Sequence, residues 1–241
     1  ILVENVLKAV SQITELYYPD SLNDAVEFNL KLSNKKKFKN VKFGHNVLVG
    51  NKVQIGKNSI IGHNTIIESN VILGMNCIVG NNVLIKNTIA GNNVRILDST
   101  IIGKKGFGFF PDQKKNIRYP HIGMVIIEDN VEIGCNNTID RGSLSNTIIG
   151  ANTFIDNQVH IAHNVNIGKN CIITAQVGFA GSSKLGNNVS IGGQAGISGH
   201  LKVGNNVQIG GGSGVIKDIP DNKRVMGYPA KDIKSFLKEK K

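Results

Sequence analysis

The sequence predicts a mainly β protein, a parallel β-helix built from six-residue repeats, and three observations carry that prediction. From Val41 the chain reads VKFGHN, VLVGNK, VQIGKN, SIIGHN, TIIESN, VILGMN, CIVGNN. The third place of each unit is aliphatic or aromatic, the fourth is often Gly and the sixth is often Asn. The apolar places recur every six residues, not at the three-and-four spacing of a helix. Composition agrees: 28 glycines, abundant Asn, 40% hydrophobic but only 5% aromatic residues, and no Trp, so the core is aliphatic and the turns are many.

Each hexad reads as one short strand and one turn. The third residue points inward, and Gly or Asn takes the positive-φ corner. Three hexads make one triangular coil. Coils stack about 4.8 Å apart, so each inward Ile or Val sits on the one below. The phase slips by one residue at VLIKN, continues as TIAGNN and VRILDS, and pauses after Gly103. It resumes at VEIGCN and runs from Thr147 to Gly212.

The chain divides accordingly. Residues 1–40 hold NVLKAVSQITELYYP, a helix ended by Pro19. Residues 41–219 are the β-helix, with 104–122 (KKGFGFFPDQKKNIRYPHI) as a loop inserted between coils. Residues 220–241 leave the repeat through GYPAK and finish in DIKSFLKEKK, a short basic amphipathic helix. The chain opens on Ile1 rather than Met, which reads as a fragment or a processed form. No apolar run is long enough to span a membrane, and the start does not read as a signal peptide. Cys77, Cys135 and Cys171 are odd in number and widely spaced, which fits a reducing cytosol with no disulfide framework. The net charge of +11 suits an acidic partner or a generally basic surface.

A β-helix core is chemically inert, so function sits in loops and outward residues. The densest polar segment is IDNQVHIAHNV, with Asp156, Asn157, Gln158, His160, His163 and Asn164. His163 holds the fifth place of its hexad, near a corner, and Gly181 follows three hexads later, one coil above. A histidine base beside a backbone N–H is what acyl transfer needs: the base takes the acceptor's proton and the N–H holds the oxyanion. Asp156, one corner before His163, can orient the ring. The alternative is a surface corner residue making a turn hydrogen bond. No Ser or Cys is paired with His163, so direct transfer is favoured over an acyl-enzyme. His200, two coils and one residue further on, contacts a phosphate or is a solvated corner. His160 and His163 form an H-x-x-H pair, but His160 faces outward from a flat side and no third histidine sits at a matching place, so no metal site is expected. GFGFF at 106–110 is a pocket wall formed by Phe107 and Phe109, or a hydrophobic loop packed on the helix.

KKGFGF, PHIGMVIIEDNVEIGCNNTIDRGSL, TIIG, IDNQVHIAHNV and GFAGSSKLG resemble consecutive blocks of the UDP-3-O-(3-hydroxyacyl)glucosamine N-acyltransferase family, over roughly residues 10–230. The resemblance implies a left-handed β-helix, a cytoplasmic homotrimer with sites between subunits, and a role in lipid A synthesis. The implied donor is a 3-hydroxyacyl acyl carrier protein, which brings its own phosphopantetheine, so no separate cofactor is expected. The implied acceptor is the free 2-amino group of a UDP-linked acylated glucosamine. No nucleic acid and at most peripheral membrane contact are expected. Matched residue by residue, His163 is the base, Asp156 its partner, Gly181 the oxyanion-hole glycine and His200 a second functional histidine. Asn157, Gln158, Phe107 and Phe109 are expected at the substrate. The family usually has Gln where this chain has His160 and His121. It also carries an N-terminal uridine-binding domain, of which residues 1–40 resemble the last helix and linker. Lys231, Lys234, Lys238, Lys240 and Lys241 make the tail basic, which suits an acidic carrier protein. The rival readings are a UDP-N-acetylglucosamine O-acyltransferase or another hexapeptide-repeat acyltransferase, a β-helix metalloenzyme, and a structural scaffold.

Overall fold

The computed structural model describes residues 2–33, 37–111 and 115–227. The predicted C-terminal helix and its lysines lie outside the described residues. The described residues form a parallel β-helix with three sheets of ten, eight and ten strands, most strands only two residues long. A helix, Val6–Tyr17, precedes it, N-capped by Asn5, whose side chain accepts from the Lys8 amide.

One outward column on the eight-stranded face shows every change of coil length. Gln54 pairs with Ile72, Ile72 with Ile89, Ile89 with Ile126, Ile126 with Ile148 and Ile148 with Asn166. The first and last steps are regular coils of three hexads. The second is one residue short, at the predicted slip, where Asn87 makes the corner with φ 46°. The third carries the whole inserted segment 104–122, within which Phe109–Pro111 and Asn116–Arg118 form an antiparallel hairpin. The fourth is four residues longer than a regular coil. That extension, at Gly142–Ser145, carries no signal in the repeat pattern. The stack also runs past the expected boundary at 219, because Arg224–Val225 pairs with Gln208–Ile209.

The repeat chemistry differs from expectation in two respects. In the regular hexads the positive-φ corner belongs to the sixth place: Asn46, Asn58, Asn64, Asn70, Asn76 and their successors have φ near 60°, while the fourth-place Gly103, with φ 83°, stands where the repeat breaks. Fourth-place glycines are required by space instead. A Cβ at Gly168 would lie 2.3 Å from the Gly186 carbonyl oxygen of the next coil. The first place also points inward. Val47, Val71, Cys77, Val83 and Cys171 are buried there alongside the third-place isoleucines. At that place Thr65 and Thr153 donate to the carbonyls of Gly80 and Gly168, whereas the buried Ser183 hydroxyl has no partner among the described residues.

The segment after the helix runs along one corner of the coils. Lys31–Leu32 pairs antiparallel with Leu48–Val49. Glu27 accepts from the amide and the hydroxyl of Ser69. Buried Lys86 reaches both Asp24 and Glu68 at 3.0 Å, and Lys104 reaches Asp24 at 2.6 Å. Burial raises the Asp24 pKa, but the two lysines outweigh it and hold the carboxyl below its usual range. At its near end this strap meets the inserted loop, where the Ser21 carbonyl accepts from the His121 amide.

Candidate active site

His163 sits at the corner after the strand His160–Ile161, and His121 of the inserted loop meets it edge-on at 5.2 Å between ring centres. Gly181 lies directly over the ring: a Cβ there would fall 2.8 Å from His163 Nε2. Gly106 closes the other side, where a Cβ would fall 2.8 Å from His163 Cβ and 2.9 Å from His121 Nε2. Both positions therefore demand glycine for close approach.

The hydrogen bonds fix the histidine's tautomer. Asn164 Nδ2 donates to the Ser145 carbonyl at 3.0 Å, and Asn164 Oδ1 accepts from the Ser143 amide at 3.2 Å. Each partner has only one possible sense, so the orientation of the Asn164 amide is determined. His163 Nδ1 lies 2.9 Å from that same Oδ1, an atom that only accepts. In the neutral ring Nδ1 therefore carries the proton, which leaves the lone pair on Nε2, facing Gly181.

The buried His121 is held neutral. Its Nδ1 donates to the Tyr119 carbonyl at 3.0 Å. Burial first, then neighbouring His163, bring its pKa down to about 4.

The site opens onto an apolar groove of about 720 Å³. Its floor is a register column, His160, Gly178, Gly196 and Gly214, one residue per coil. A Cβ at any of the three glycines would meet nothing within 4 Å, so they leave a trough. Phe107 and Ile216 flank it. At its head His160 accepts from or donates to Thr138 Oγ1 at 2.8 Å. His160 Nε2 is 3.9 Å from Asp140. Burial, then nearby Asp24, raises the Asp140 carboxyl to about 7, while burial lowers the His160 pKa. With His160 uncharged near neutral pH and Asp140 titrating near 7, the contact is not a full ion pair. Among the described residues no three His, Cys, Asp or Glu side chains cluster as metal ligands.

The predicted residues are distributed more widely than expected. His163, Gly181 and Phe107 converge at the groove. Asp156 does not hydrogen-bond to His163. The two stand at opposite ends of the strand His160–Ile161, and the Asp156 carboxylate accepts from the Asn157 amide at 2.7 Å. His163 Nδ1 donates instead to Asn164 Oδ1, at 2.9 Å. Asn157 accepts from the Cys135 amide, and Gln158 joins a ladder with Gln176 and Gln194, so both tie coils together away from the groove. Phe109 does not line the groove itself but packs edge-on against Phe107, with ring centres 4.8 Å apart, while alternation along its strand turns Phe110 inward. His200 occupies a sixth-place corner with φ 62° and lines a second, polar pocket with Ser143, Ser145, Asn164, Ser182, Lys184 and Lys202. Sequence alone gives no role to His121 or Asn164. There Asn164 is one member of a polar segment and His121 is a departure from Gln; their contacts with His163 depend on how the inserted segments fold.

The family model for bacterial transferase hexapeptide (six repeats) matches residues 52–87 and 146–181. The chain is 53% identical over 151 residues to the UDP-3-O-acylglucosamine N-acyltransferase of Agrobacterium fabrum, a match covering 63% of this chain and 42% of that protein. It is 55% identical over 75 residues to the enzyme of the same name from Rhizobium rhizogenes, covering 31% of this chain and 21% of that one. The chain thus spans less than half the length of these relatives. Among solved structures it resembles the UDP-N-acetylglucosamine acyltransferase of Campylobacter jejuni, with a TM-score of 0.66 and 27% identity over 74% of this chain and 68% of that one. It also resembles the UDP-N-acetylglucosamine O-acyltransferase of Moraxella catarrhalis, with a TM-score of 0.53 and 29% identity over 84% and 74%.

Proposed function

We propose that the chain, whose residues 52–87 and 146–181 match the bacterial transferase hexapeptide model, is the catalytic part of a UDP-3-O-acylglucosamine N-acyltransferase. In this reading it moves a 3-hydroxyacyl chain from acyl carrier protein to the 2-amino group of the UDP-linked acceptor in lipid A synthesis. The observation that carries the reading is His163, with Nδ1 committed to Asn164 and Nε2 free under Gly181, at the head of an apolar trough.

The chemistry follows from that arrangement. The acceptor nitrogen attacks the thioester carbonyl, forming the C–N bond, while His163 Nε2 takes the amine proton. The oxyanion lies at the Gly181 backbone, whose N–H holds it. Collapse breaks the C–S bond, and His163 returns the proton to the departing thiolate. Asn164 holds the base in its working tautomer, the role a carboxylate plays in other triads. Asp156 contributes by fixing the preceding corner. The trough takes the hydrocarbon, because glycine at three successive coils removes every side chain from its floor. The reading also includes assembly as a cytoplasmic homotrimer, use of no separate cofactor, and residues 1–40 as the link to a uridine-binding domain. Light scattering of the purified chain tests the trimer, and a mass of one chain at micromolar concentration contradicts it.

The solved structures named for UDP-N-acetylglucosamine acyltransferases favour a second reading, O-acylation of the 3-hydroxyl of UDP-N-acetylglucosamine. One assay separates the two. The chain is supplied with a 3-hydroxyacyl carrier protein and offered, separately, UDP-3-O-acylglucosamine and UDP-N-acetylglucosamine. Amide formation with the first alone supports the proposal, and ester formation with the second overturns it.

A further inference from the structure

The lysines of this chain are unevenly placed. Residues 31–57 hold eight of them, with no Asp, Glu or Arg. The fold gathers that stretch at one end of the stack, where Lys31–Leu32, Lys42–Phe43 and Gln54–Ile55 are the terminal strands of the three sheets. Around this end Lys31, Lys37, Lys39, Lys42, Lys52 and Lys57 are all exposed. Among the described residues none of the six is ion-paired. The acids over the adjoining coil are committed elsewhere, Glu27 to Ser69 and Glu68 to Lys86. Lys52 even stands at a sixth-place corner with φ 56°, where most other coils place Asn, the residue that tolerates that conformation better.

The core is covered here without a partner. Phe38 is buried over it, tilted against Phe43 with ring centres 5.6 Å apart, and the Lys37 ammonium lies 5.4 Å from the Phe38 ring centre. Bulky apolar groups nevertheless project at the rim. The strap passes over the second coil at Glu27 and reaches the terminal coil at Lys31. Along that path Phe28 is left 91% exposed and Leu32 68% exposed. Two apolar side chains among cations, with no acid between them, match a surface that is negative outside and apolar just beneath: an anionic lipid bilayer. The cations are all Lys, mobile point charges that suit a diffuse field of headgroups, without the Arg forks of a bidentate site.

We propose that the Phe38 end of the β-helix is a docking surface for anionic phospholipid membranes. The lysine rim sits at the headgroups, and Phe28 and Leu32 enter the interface beneath them. The terminal strand Leu48–Val49 lies five strands from His160–Ile161 in the same sheet, about 24 Å along the stack. Docking at this end therefore leaves the His163 groove clear of the bilayer, and it does not depend on the proposed acyl transfer.

The test is co-sedimentation with vesicles of phosphatidylcholine alone or of phosphatidylcholine and phosphatidylglycerol at roughly 3:1. It compares the unaltered chain with a rim variant, Lys42→Gln/Lys52→Asn/Lys57→Gln, whose replacements already fit such places at Gln54 and Asn46. The control removes three exposed lysines towards the other end, Lys184→Gln/Lys202→Gln/Lys223→Gln. Lys184 is six strands from Gln54 in its sheet, about 29 Å, beyond the Debye length of about 10 Å in about 0.1 M salt. The mixed vesicles should bind about tenfold or more tighter than the neutral ones. The rim variant should lose about tenfold or more of that affinity and the control less than about twofold. The chain has no Trp, so Phe28→Trp supplies a single reporter whose emission should shift to the blue with mixed vesicles only. Equal binding to both vesicles, equal losses in the two lysine variants, or unshifted Phe28→Trp emission in the bound state overturns the proposal. Binding of soluble poly-glutamate through the same lysines, without vesicle binding, overturns it in favour of an acidic protein. A rim variant that aggregates yet binds vesicles normally also overturns it, and leaves the lysines as guards of the open strand edges.

Discussion

His121 and Asp140 sit within the same neighbourhood and pull the protein's pH dependence in opposite directions. Unfolded, His121 takes a proton near 6.5, but folded only near 4, so its burial destabilises the fold increasingly as pH falls between those values. The full effect is roughly 3 kcal/mol, since each tenfold change in proton affinity is worth about 1.4 kcal/mol. Asp140 is the reverse. Its folded carboxyl keeps a proton up to about 7 instead of 3.8, so stability from this group is present at low pH and is lost as pH rises through that window. Between about 4 and 6.5 the two slopes largely cancel. His121→Gln is therefore expected to leave a chain that loses stability as pH rises from about 4.5 to about 6.5, and Asp140→Asn one that gains it. Denaturant unfolding at the two pH values measures both, and a parallel response of the two variants would contradict the assignment. The tautomer of His163 is not legible in the sequence for a related reason. It depends on Asn164 also binding Ser143 and Ser145, and that meeting is created by a coil extension with no repeat signal of its own.

Among the elements, the hexads are legible almost whole because each place has one dominant physical demand. Sixth-place Asn meets positive φ, third-place Ile fills the core, and a change of period locates the slip at Asn87 and the insertion at 104–122. For the fourth-place glycine the repeat suggests the wrong demand. Its backbone is ordinary, and the constraint is the carbonyl of the next coil, which a single repeat cannot display. The second-place glycines of the trough obey neither rule, since nothing crowds them and φ is not positive. The two kinds should separate on mutation. Gly168→Ala drives a methyl into the Gly186 backbone and should cost about 1–3 kcal/mol, the usual range for overpacking. Gly196→Leu meets open space, so thermal unfolding should be unchanged within about 0.5 kcal/mol. It should nevertheless obstruct the trough and lower transfer of a long acyl chain more than of a short one. Equal unfolding temperatures for the Gly168 variant and the unaltered chain would show that the coils yield more readily than the geometry implies.

Across the described residues the stack supplies three flat faces, and the proposed chemistry sits at one corner, where the inserted segment and the strap after the helix converge. The strap from Asp20 to Leu32 is fastened by Lys86, which is buried between Asp24 and Glu68, and ends against the loop that carries His121. No local sequence pattern announces that fastening, because Lys86 stands several coils from Asp24 along a chain whose other contacts recur every three hexads. The same geometry explains why the sequence suggests Asp156 at the base: the segment between it and His163 spans a whole face of the triangle, so nearness in sequence is not nearness to the ring. The proposed reaction rests on the resemblance, and its assignment to His163 rests on the packing around that ring. Single-turnover transfer from a 3-hydroxyacyl carrier protein to the UDP-linked amine, with His163→Ala beside the unaltered chain, tests that assignment most directly. Loss of the base should slow the chemical step by about a hundredfold or more while leaving carrier-protein binding nearly unchanged. A variant that transfers the acyl chain at close to the normal rate would contradict the account, and His163 would then be a corner residue and not the base.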